Sequence, residues 1–263
     1  MKDITIIIPV LKNQIDTHEL VAAVDSVKEC QKYYTDGELS VLIVTEPCEV
    51  DYTAFSSIKY QYITNKTGKY DYCSQINFGV KNVKTEFFSI LEYDDYYTKK
   101  WFKMFNDYYT TNEDVSVFLP INILHNANTN EREFVNDIIW SNGFANEIGF
   151  IDFDCLQASA SFNLTGGIFK TSDWLGYKPS ISVAFNYEYL LRATRKGRQQ
   201  KIFVVPKEGY HHEIFTKNSL SQQYMDTITD EDNMKWFELA KREYAFDEDR
   251  NKGIMDNKEE ELK

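Results

Sequence analysis

Short, mostly apolar runs rich in β-branched residues recur along the first ninety residues, with segments of helical periodicity between them. Three of these runs lie at residues 4–8, 41–44 and 87–91. Runs of this length without apolar–polar alternation are typical of strands buried on both faces of a parallel sheet. Residues 16–27 begin with capping-box spacing and then place their apolar side chains on one helix face. The pattern therefore predicts a βαβ unit within an α/β fold.

The rest of the chain continues this pattern with weaker signals. Further strands are predicted at residues 58–63, 115–119, 162–169 and 202–206. Helices are predicted after Ser74, which can cap the first of them, over residues 186–196, and from Met225 onward. The Asn-rich stretch at residues 122–146 is predicted to be irregular or partly helical. The expected fold is a mainly parallel mixed sheet flanked by helices.

The length of 263 residues fits one large α/β domain, because single hydrophobic cores stop growing at roughly 250–300 residues. We predict this domain at residues 1–221. The C-terminal residues are rich in charge and end in an acidic run. They predict a helical, acidic appendage with a frayed end at residues 222–263.

Charge and cysteine content exclude several classes of function. The 41 Asp+Glu outnumber the 29 Lys+Arg, and the net charge of -12 argues against broad electrostatic capture of nucleic acid or anionic lipid. No apolar stretch approaches the ~18–20 residues that span a bilayer, and the first residues lack a secretion pattern. The four cysteines are widely separated and predict neither a zinc knuckle nor a disulfide framework. We therefore predict a cytoplasmic protein without a membrane span.

Three carboxylates follow the predicted strand at residues 87–91. Glu92, Asp94 and Asp95 come directly after its last apolar residue. Open α/β sheets bind ligands outside the carboxyl ends of their strands. Carboxylates this close repel one another, and a divalent cation that also bridges a diphosphate removes the repulsion. The alternative is a solvated acidic turn that only caps the next helix.

Three blocks of the sequence resemble family 2 glycosyltransferases with the GT-A fold. The first is the opening strand with Pro-Val and Asn at residues 4–13. The second, and most specific, is Asn77-Phe78-Gly79 followed by residues 86–95, which is similar to the family's Asn-X-Gly helix and Asp-X-Asp-Asp signature. The third comprises the Gly-Gly turn at residues 165–170, the helix ending at Arg192, Gly197, Pro206, His211-His212 and the Ser-X-Ser pattern at residues 218–221. The blocks occur in the family's order.

The resemblance implies transfer of a sugar from a nucleoside-diphosphate sugar to an acceptor hydroxyl, with Mn²⁺ or Mg²⁺ as cofactor. Asp94 would be the metal ligand, with Glu92 in the place of the family's first Asp and Asp95 as an adjoining acid. His211 and His212 would supply a further metal ligand or a phosphate donor, with His212 as the predicted metal ligand; an exposed loop pair is the alternative. The cation would offset the charge that develops on the leaving diphosphate.

The resemblance also implies positions for the donor nucleotide. These are Pro9, Val10, Leu11, Glu46, Lys69, Asn77, Glu92 and Tyr93. Glu46 replaces the usual Asp, so the base stays open. Lys66 and Lys69 would contact the base or the phosphates; solvated loop lysines are the alternative.

The catalytic base is the weakest match. The family's inverting members carry an acidic pair where this sequence has Phe185 and Asn186, neither of which accepts a proton. We predict Glu188 as the base, with an exposed ion pair to Arg192 at i+4 as the alternative. A retaining mechanism needs no such base, so the stereochemical outcome stays open. Other acids are Asp173 and the Asp152–Asp154 pair.

Two rival functions remain open. A nucleotidyltransferase on a similar sheet normally has a Gly-rich phosphate loop after the first strand, and residues 11–14 contain no glycine. A catalytically silent relative that binds nucleotide or carbohydrate is the second rival, and Phe185-Asn186 favours it. The acceptor is not readable: a glycan, a protein side chain, a lipid-linked sugar or a hydroxylated nucleic-acid base are all open. Trp140, Trp174 and Tyr177 would stack on a sugar or pack in the core.

Overall fold

The computed structural model describes residues 2–15, 17–48, 59–126, 128–180, 184–195, 200–214 and 230–244. Its strands are β1 (Ile4–Val10), β2 (Leu39–Thr45), β3 (Tyr60–Thr64), β4 (Phe87–Ile90), β5 (Tyr96–Tyr97), β6 (Val117–Asn126), β7 (Arg132–Val135), β8 (Ile168–Lys170) and β9 (Ile202–Ile214). Its α-helices are α1 (His18–Gln31), α2 (Tyr72–Asn82), α3 (Trp101–Tyr109), α4 (Phe153–Ala158), α5 (Phe185–Thr194) and α6 (Asp230–Tyr244). The predicted α/β class is confirmed.

The strands form one mixed sheet in the order β3-β2-β1-β4-β8-β6-β9-β5, with β7 paired to β6. Strands β3, β2, β1 and β4 are mutually parallel, and we call them the parallel half. In the mixed half, β8, β6, β9 and β5, only β6 and β9 are parallel neighbours. The two halves meet where β4 pairs antiparallel with β8. The longest ladders are parallel, as predicted.

Strand β1 is longer than its sequence pattern indicates. We expected Pro9 to stop it, but the strand continues through Pro9 and Val10. Ile7 O accepts a hydrogen bond from Leu91 N, so the odd-numbered residues of β1 direct their backbone groups toward β4. The ladder with β4 ends at Ile7. Pro9 therefore lies beyond the point where its missing N–H would be needed.

Helices α1 and α2 pack on opposite faces of the parallel half. Ile6 of β1 belongs to the apolar cluster that includes the buried face of α1, and Ile7 belongs to the cluster that includes α2. Gly79 allows α2 to approach closely, because a Cβ there would lie 2.8 Å from Ile7 Cγ2. Asp71, and not Ser74, caps α2, since its Oδ1 accepts from Ser74 N at 2.9 Å.

The stretch that we expected to be irregular or partly helical begins with a β-hairpin and continues with a short 3-10 helix at Asp137–Trp140. Strand β6 extends to Asn126, and β7 returns beside it. Asn130, in the connecting turn, has φ 58, a left-handed conformation that Asn tolerates better than most residues. The asparagines thus mark the turn of this hairpin. Its two strands combine polar and apolar residues, so strand propensity alone did not indicate them.

The C-terminal helix α6 packs against α5. The ring centroids of Phe237 and Tyr187 lie 5.8 Å apart, and Ala240 is fully buried in the cluster that contains α5. The predicted boundary at residues 221 and 222 lies outside the described residues, as do Asp16, Gly197, the 218–221 block and the acidic end, so the division into two parts stays a prediction. Within the described ranges, no helix is both long and apolar enough to cross a membrane.

Candidate active site

Three side chains converge where the parallel half meets the mixed half. Glu92 and Asp95 follow β4, and His212 lies near the end of β9. One ligand atom from each lies within 4.8 Å of the others. We call this set the carboxylate–histidine group. It joins two of the sequence blocks singled out above, although about 117 residues separate them in the chain.

Asp95 is the structural centre of this group. It is 1% exposed, and three donors from β9 bind its carboxylate. Its Oδ2 contacts Tyr210 Oη at 2.6 Å and His212 Nδ1 at 2.7 Å, while its Oδ1 accepts from Glu213 N at 2.9 Å. A carboxylate bound to one ring nitrogen of a histidine orients that ring and makes it a better ligand through the other nitrogen. Asp95 therefore orients His212.

Tyr210 connects Asp95 to Glu92. Its hydroxyl donates to Asp95 and accepts from Glu92 N at 3.0 Å. The ring is fully buried against the Gly-Gly turn, because a Cβ at Gly166 would lie 2.5 Å from Tyr210 Cδ2. Gly166 also has φ +77, which only glycine adopts readily. The turn that the sequence singled out thus makes room for the residue that holds the two acids.

The pKa shifts of Glu92 and His212 agree with their positions in the carboxylate–histidine group. Burial raises the pKa of Glu92 to about 8; the charge of His212 opposes this shift, and the nearby Asp95 and Asp94 add to it. Burial lowers the pKa of His212, but the charge and hydrogen bond of Asp95 outweigh it and raise that pKa to about 10. A site that holds Glu92 partly protonated near neutral pH favours an added positive charge.

The residues present therefore fit a divalent cation. Carboxylate oxygens and an imidazole nitrogen are ligands that Mn²⁺ and Zn²⁺ accept, and Mg²⁺ prefers the oxygens. Of the two predicted metal ligands, His212 belongs to the group. Asp94 is half-buried beside it, and the third member is Asp95. The acidic turn is thus not simply solvated, although no metal identity follows from these residues.

The predicted nucleotide positions at the ends of β1 and β2 lie together. Lys12 N donates to Glu46 Oε1 at 2.6 Å, which joins the two strand ends. Gln75 of α2 donates to Val10 O at 3.3 Å, so the same helix closes this edge of the sheet. Pro9 and Val10 are buried, whereas Leu11 and Glu46 are half-buried. The carboxyl ends of parallel strands thus form one edge, as expected.

Tyr93, Lys69 and Asn77 differ in their surroundings. Tyr93 is 7% exposed and hydrogen bonded to Gln14 in the turn after β1, so it lies at the predicted nucleotide edge. Lys69 is exposed, which agrees with the alternative that it is a solvated loop lysine. Both ends of the Asn77 amide bind the backbone of Tyr177 at 2.8 Å. Asn77 therefore joins α2 to the loop before α5, and its nucleotide contact stays a prediction.

Glu188 is fully buried and bound to Arg192. Arg192 Nε lies 2.8 Å from Glu188 Oε1, and Arg192 Nη2 lies 3.0 Å from Oε2. Lys178 Nζ lies 3.6 Å from the same carboxylate. The i+4 ion pair is present but buried, where we had expected an exposed pair. This geometry occupies both oxygens, and the catalytic role of Glu188 stays a prediction.

Other candidate residues have structural partners. Asp152 caps α4 by accepting from Cys155 N at 2.7 Å, and Asn146 Nδ2 bridges Asp152 and Asp154. Tyr177 is 3% exposed and packs edge-on against Trp174. Core packing thus accounts for these aromatic rings.

Sequence reasoning missed Tyr210 and Tyr72. Tyr72 Oη lies 3.5 Å from Glu92 Oε1, and the Tyr72 ring packs on Phe185 with centroids 5.2 Å apart. Phe185-Asn186, which occupies the place of the expected acidic pair, is therefore connected to the carboxylate–histidine group through Tyr72. Nothing in the spacing of these residues indicates the contact.

Comparison with known proteins supports the fold through solved structures. No family model and no curated protein matches the sequence. A solved structure of S. aureus TarS 1-349 aligns with 81% of this chain and 60% of its own, at 15% identity and TM-score 0.57. TarS 1-349 in complex with UDP-GlcNAc aligns with 84% of this chain and 61% of its own, at 14% identity and TM-score 0.58.

A longer TarS structure aligns with 81% of this chain and 37% of its own, at 16% identity and TM-score 0.57. The chain therefore spans about 60% of the shorter TarS chains that it matches. TarS is a family 2 glycosyltransferase with the GT-A fold. The resemblance in the sequence blocks and the arrangement of the strands thus agree, and the chain has the GT-A-like fold.

Proposed function

We propose that the protein is a divalent-metal-dependent glycosyltransferase that moves a sugar from a nucleoside-diphosphate sugar to an acceptor hydroxyl. The carboxylate–histidine group at the carboxyl end of β4 is the observation that carries this proposal. The turn that carries it is also hydrogen bonded to the turn after β1 through Tyr93 and Gln14, which supports a nucleotide site at Val10, Leu11 and Glu46 beside the cation site. A TarS structure that contains UDP-GlcNAc has the same fold and favours a uridine nucleotide as donor.

Each residue has a task in this proposal. Glu92 and His212 hold the cation, which supplies charge neutralisation for the leaving diphosphate. Asp95 orients His212, and Tyr210 holds Asp95 and the backbone of Glu92 in position. Asp94, half-buried beside them, adds a further negative charge or ligand. Pro9, Val10, Leu11, Glu46 and Tyr93 contact the nucleoside.

Thermal unfolding with and without ligands tests the proposal. The protein is heated with UDP, GDP, UDP-GlcNAc and UDP-glucose, each with and without Mn²⁺ or Mg²⁺. A ligand that binds only the native state stabilises it by about 2.7 kcal/mol at a hundred times its Kd. We expect a metal-dependent rise in Tm with at least one diphosphate. No such rise with any of them would contradict the proposal.

A silent relative is the second candidate, because Glu188 is paired and Phe185-Asn186 offers no carboxylate. Turnover separates it from an enzyme. The sugar nucleotide that binds best is incubated with the protein, and the released nucleoside diphosphate is quantified. Release above a control that contains the sugar nucleotide and metal without protein identifies transfer or uncoupled hydrolysis. Binding without release identifies the silent relative.

The finer assignments stay predictions. Hexosyl and pentosyl transfer, inversion and retention, and the acceptor all depend on the sugar nucleotide that is consumed. The cytoplasmic location is likewise a prediction from the sequence.

A further inference from the structure

Strand β7 is an open edge of the sheet. It pairs with β6 and with no other strand in the part of the chain that the structure describes. Arg132, Glu133 and Phe134 are exposed, and Val135 is half-buried. The Phe134 side chain is 53% exposed, the largest value for an aromatic residue in the described ranges. An edge strand of this kind offers unpaired N–H and C=O groups to a further strand.

The hydrogen bonds of the hairpin show which backbone groups of β7 face outward. Asn126 N donates to Glu131 O at 3.0 Å, at the turn end of the β6–β7 ladder. Bonded and non-bonded pairs alternate along an antiparallel ladder, so every second residue of β7 after Glu131 also bonds to β6. Arg132 and Phe134 lie between these residues and direct their N–H and C=O to the open edge. No backbone group within the described ranges pairs with them there.

This edge is complementary to itself. A two-fold axis perpendicular to the sheet and through Phe134 places two copies of β7 antiparallel, with Phe134 opposite Phe134 of the second copy. Each of the two residues then donates its outward N–H to the outward C=O of the other, which is the bonded type of antiparallel pair. A two-fold dimer needs such a patch, because the same surface serves both copies.

The charges of β7 favour this register over the neighbouring one. An axis through Glu133 would place two glutamates directly opposite each other, which is destabilising. The axis through Phe134 instead places Glu133 opposite Val135 of the second copy and Arg132 opposite Asn136. Arg132 is then diagonal to Phe134 of the second copy, within reach of a cation–π contact. The two charged residues thus select one pairing.

An open groove of about 520 Å³ adjoins the Phe134 ring. Met104, Ile121 and Pro206 line it together with Phe134. Residues directly opposite each other in an antiparallel pair have their side chains on the same face of the sheet. Phe134 of the second copy would therefore lie beside Phe134 on the face that carries the groove. Burial of these apolar groups supplies a driving force in addition to the backbone hydrogen bonds.

We propose that β7 is a dimerisation edge, through which two copies of this chain pair with Phe134 at the two-fold axis. The two sheets then continue into each other, and each copy covers the exposed ring of the other. The strand has four residues, so the interface is small and the dimer should depend on protein concentration. The inference uses no residue of the carboxylate–histidine group and is independent of the proposed function.

Cysteine cross-linking tests the register. Bonded antiparallel pairs have Cα atoms about 5.5 Å apart, within the range of about 4.4–6.8 Å that a disulfide spans. Phe134→Cys should therefore form a disulfide-linked dimer with oxidised glutathione. Glu133→Cys is the matched control, because the two copies of residue 133 are diagonal neighbours, about 7–8 Å apart. Wild type controls for Cys48, which is half-buried, whereas the other three cysteines are buried.

Sedimentation velocity over a concentration series measures association without a cross-link. We expect wild type to dimerise and Phe134→Pro to remain monomeric, because proline removes both the ring and the outward N–H. Proline is tolerated on an edge strand where the N–H faces solvent, so the hairpin should persist, and circular dichroism checks this. Met234→Ser is the control for loss of an exposed apolar side chain, since Met234 is 59% exposed on α6.

Glu133→Gln gives a test that misfolding cannot imitate. The two copies of Glu133 are diagonal neighbours and repel each other, so this variant should tighten the dimer about two- to fivefold. Several results would overturn the inference: wild type that stays monomeric at every concentration, a dimer that Phe134→Pro weakens no more than Met234→Ser does, or a dimer that Glu133→Gln weakens. Absence of a cross-link in Phe134→Cys, or equal cross-linking in Glu133→Cys, would overturn it as well.

Discussion

The two halves of the sheet contribute to the candidate site in different ways. Strands of the parallel half deliver their carboxyl ends, so its contribution consists of Val10, Glu46 and the acidic turn after β4. The mixed half contributes groups from within a strand, since the side chains of Tyr210 and His212 and the backbone N–H of Glu213 all belong to β9. The two contributions meet at Asp95, which follows β4 of the parallel half. Its three hydrogen bonds come from β9 of the mixed half.

This difference has a physical origin. Parallel strands with helical crossovers place loops, rather than side chains of a strand, at the ligand edge. An antiparallel or mixed arrangement lets a long strand run past that edge and present alternate side chains to it. This site uses both, because the strand end supplies Asp95 and the passing strand supplies its donors.

The largest expected effect concerns α5, which supports the mixed half. Glu188→Gln breaks a buried ion pair and leaves Arg192, whose side chain is 11% exposed, without its carboxylate partner, while Arg192 still donates to Leu175 O and Gly176 O. Breaking such a pair costs about 3–5 kcal/mol of unfolding free energy. Urea unfolding measures this loss. Turnover per folded molecule should fall less than about tenfold, and a larger fall would support the predicted catalytic role of Glu188.

Substitutions of the neighbouring acids Asp94 and Asp95 test the site where the parallel and mixed halves meet. Asp95→Asn should weaken Mn²⁺-dependent UDP binding roughly 10–100-fold, as loss of an orienting carboxylate does elsewhere, and should also lower the unfolding free energy. Asp94→Asn should lose metal-dependent binding with the fold retained, since Asp94 is only half-buried. Calorimetry measures the loss of binding in each variant, and urea unfolding measures the loss of stability, which we expect only for Asp95→Asn. Unchanged activity of Asp94→Asn would remove Asp94 from the site.

A smaller effect is expected from one hydroxyl. Tyr210→Phe removes the link between Asp95 and Glu92 N, which should cost roughly 1–2 kcal/mol of stability and also weaken Mn²⁺ binding. Tyr97→Phe is the matched control, because its buried hydroxyl binds Ser89 and Ile90 O instead. Equal metal affinities of the two variants would show that Tyr210 has no part in positioning the acids.

The smallest expected effect is a pH dependence in the β6–β7 hairpin. Hydrogen bonds to Asn130 and Glu213 raise the pKa of His125 above its usual 6.5. A raised pKa in the folded state means that this contribution to stability is fully present below pH 6.5 and is lost as pH rises through the higher value. The difference in unfolding free energy between wild type and His125→Gln should therefore be larger at about pH 5 than at about pH 9. A difference that is constant or grows with pH would contradict this.

The parallel half was largely predictable from the sequence. Strands β1, β2 and β4 appear as short apolar runs, and α1 and α2 follow from apolar side chains at helical spacing, because both signals arise from local burial on a sheet. The exceptions are local as well. Pro9 stays in β1 because the neighbouring ladder has already ended, and Asp71 replaces Ser74 as the cap of α2.

The mixed half was less predictable. Strands β6 and β9 begin within the predicted apolar runs at residues 115–119 and 202–206. Strand β6 then extends to Asn126 and β9 extends eight residues beyond Pro206, and these extensions combine apolar and polar residues without the pattern of a buried strand. The carboxylate–histidine group was predicted in part, since Glu92 and His212 were named, but Asp94 was favoured over Asp95. Consecutive acids on a turn have no sequence signal that says which one faces inward.

By itself, the sequence determined the α/β class, the helices and strands of the parallel half and the resemblance to family 2 glycosyltransferases, because these depend on neighbours along the chain. The tertiary structure decided that Asp95 binds His212 and that Glu188 binds Arg192 inside the protein. These outcomes depend on which strands become neighbours in the sheet. Such pairings bring together residues more than a hundred positions apart, and no local pattern of polarity encodes them.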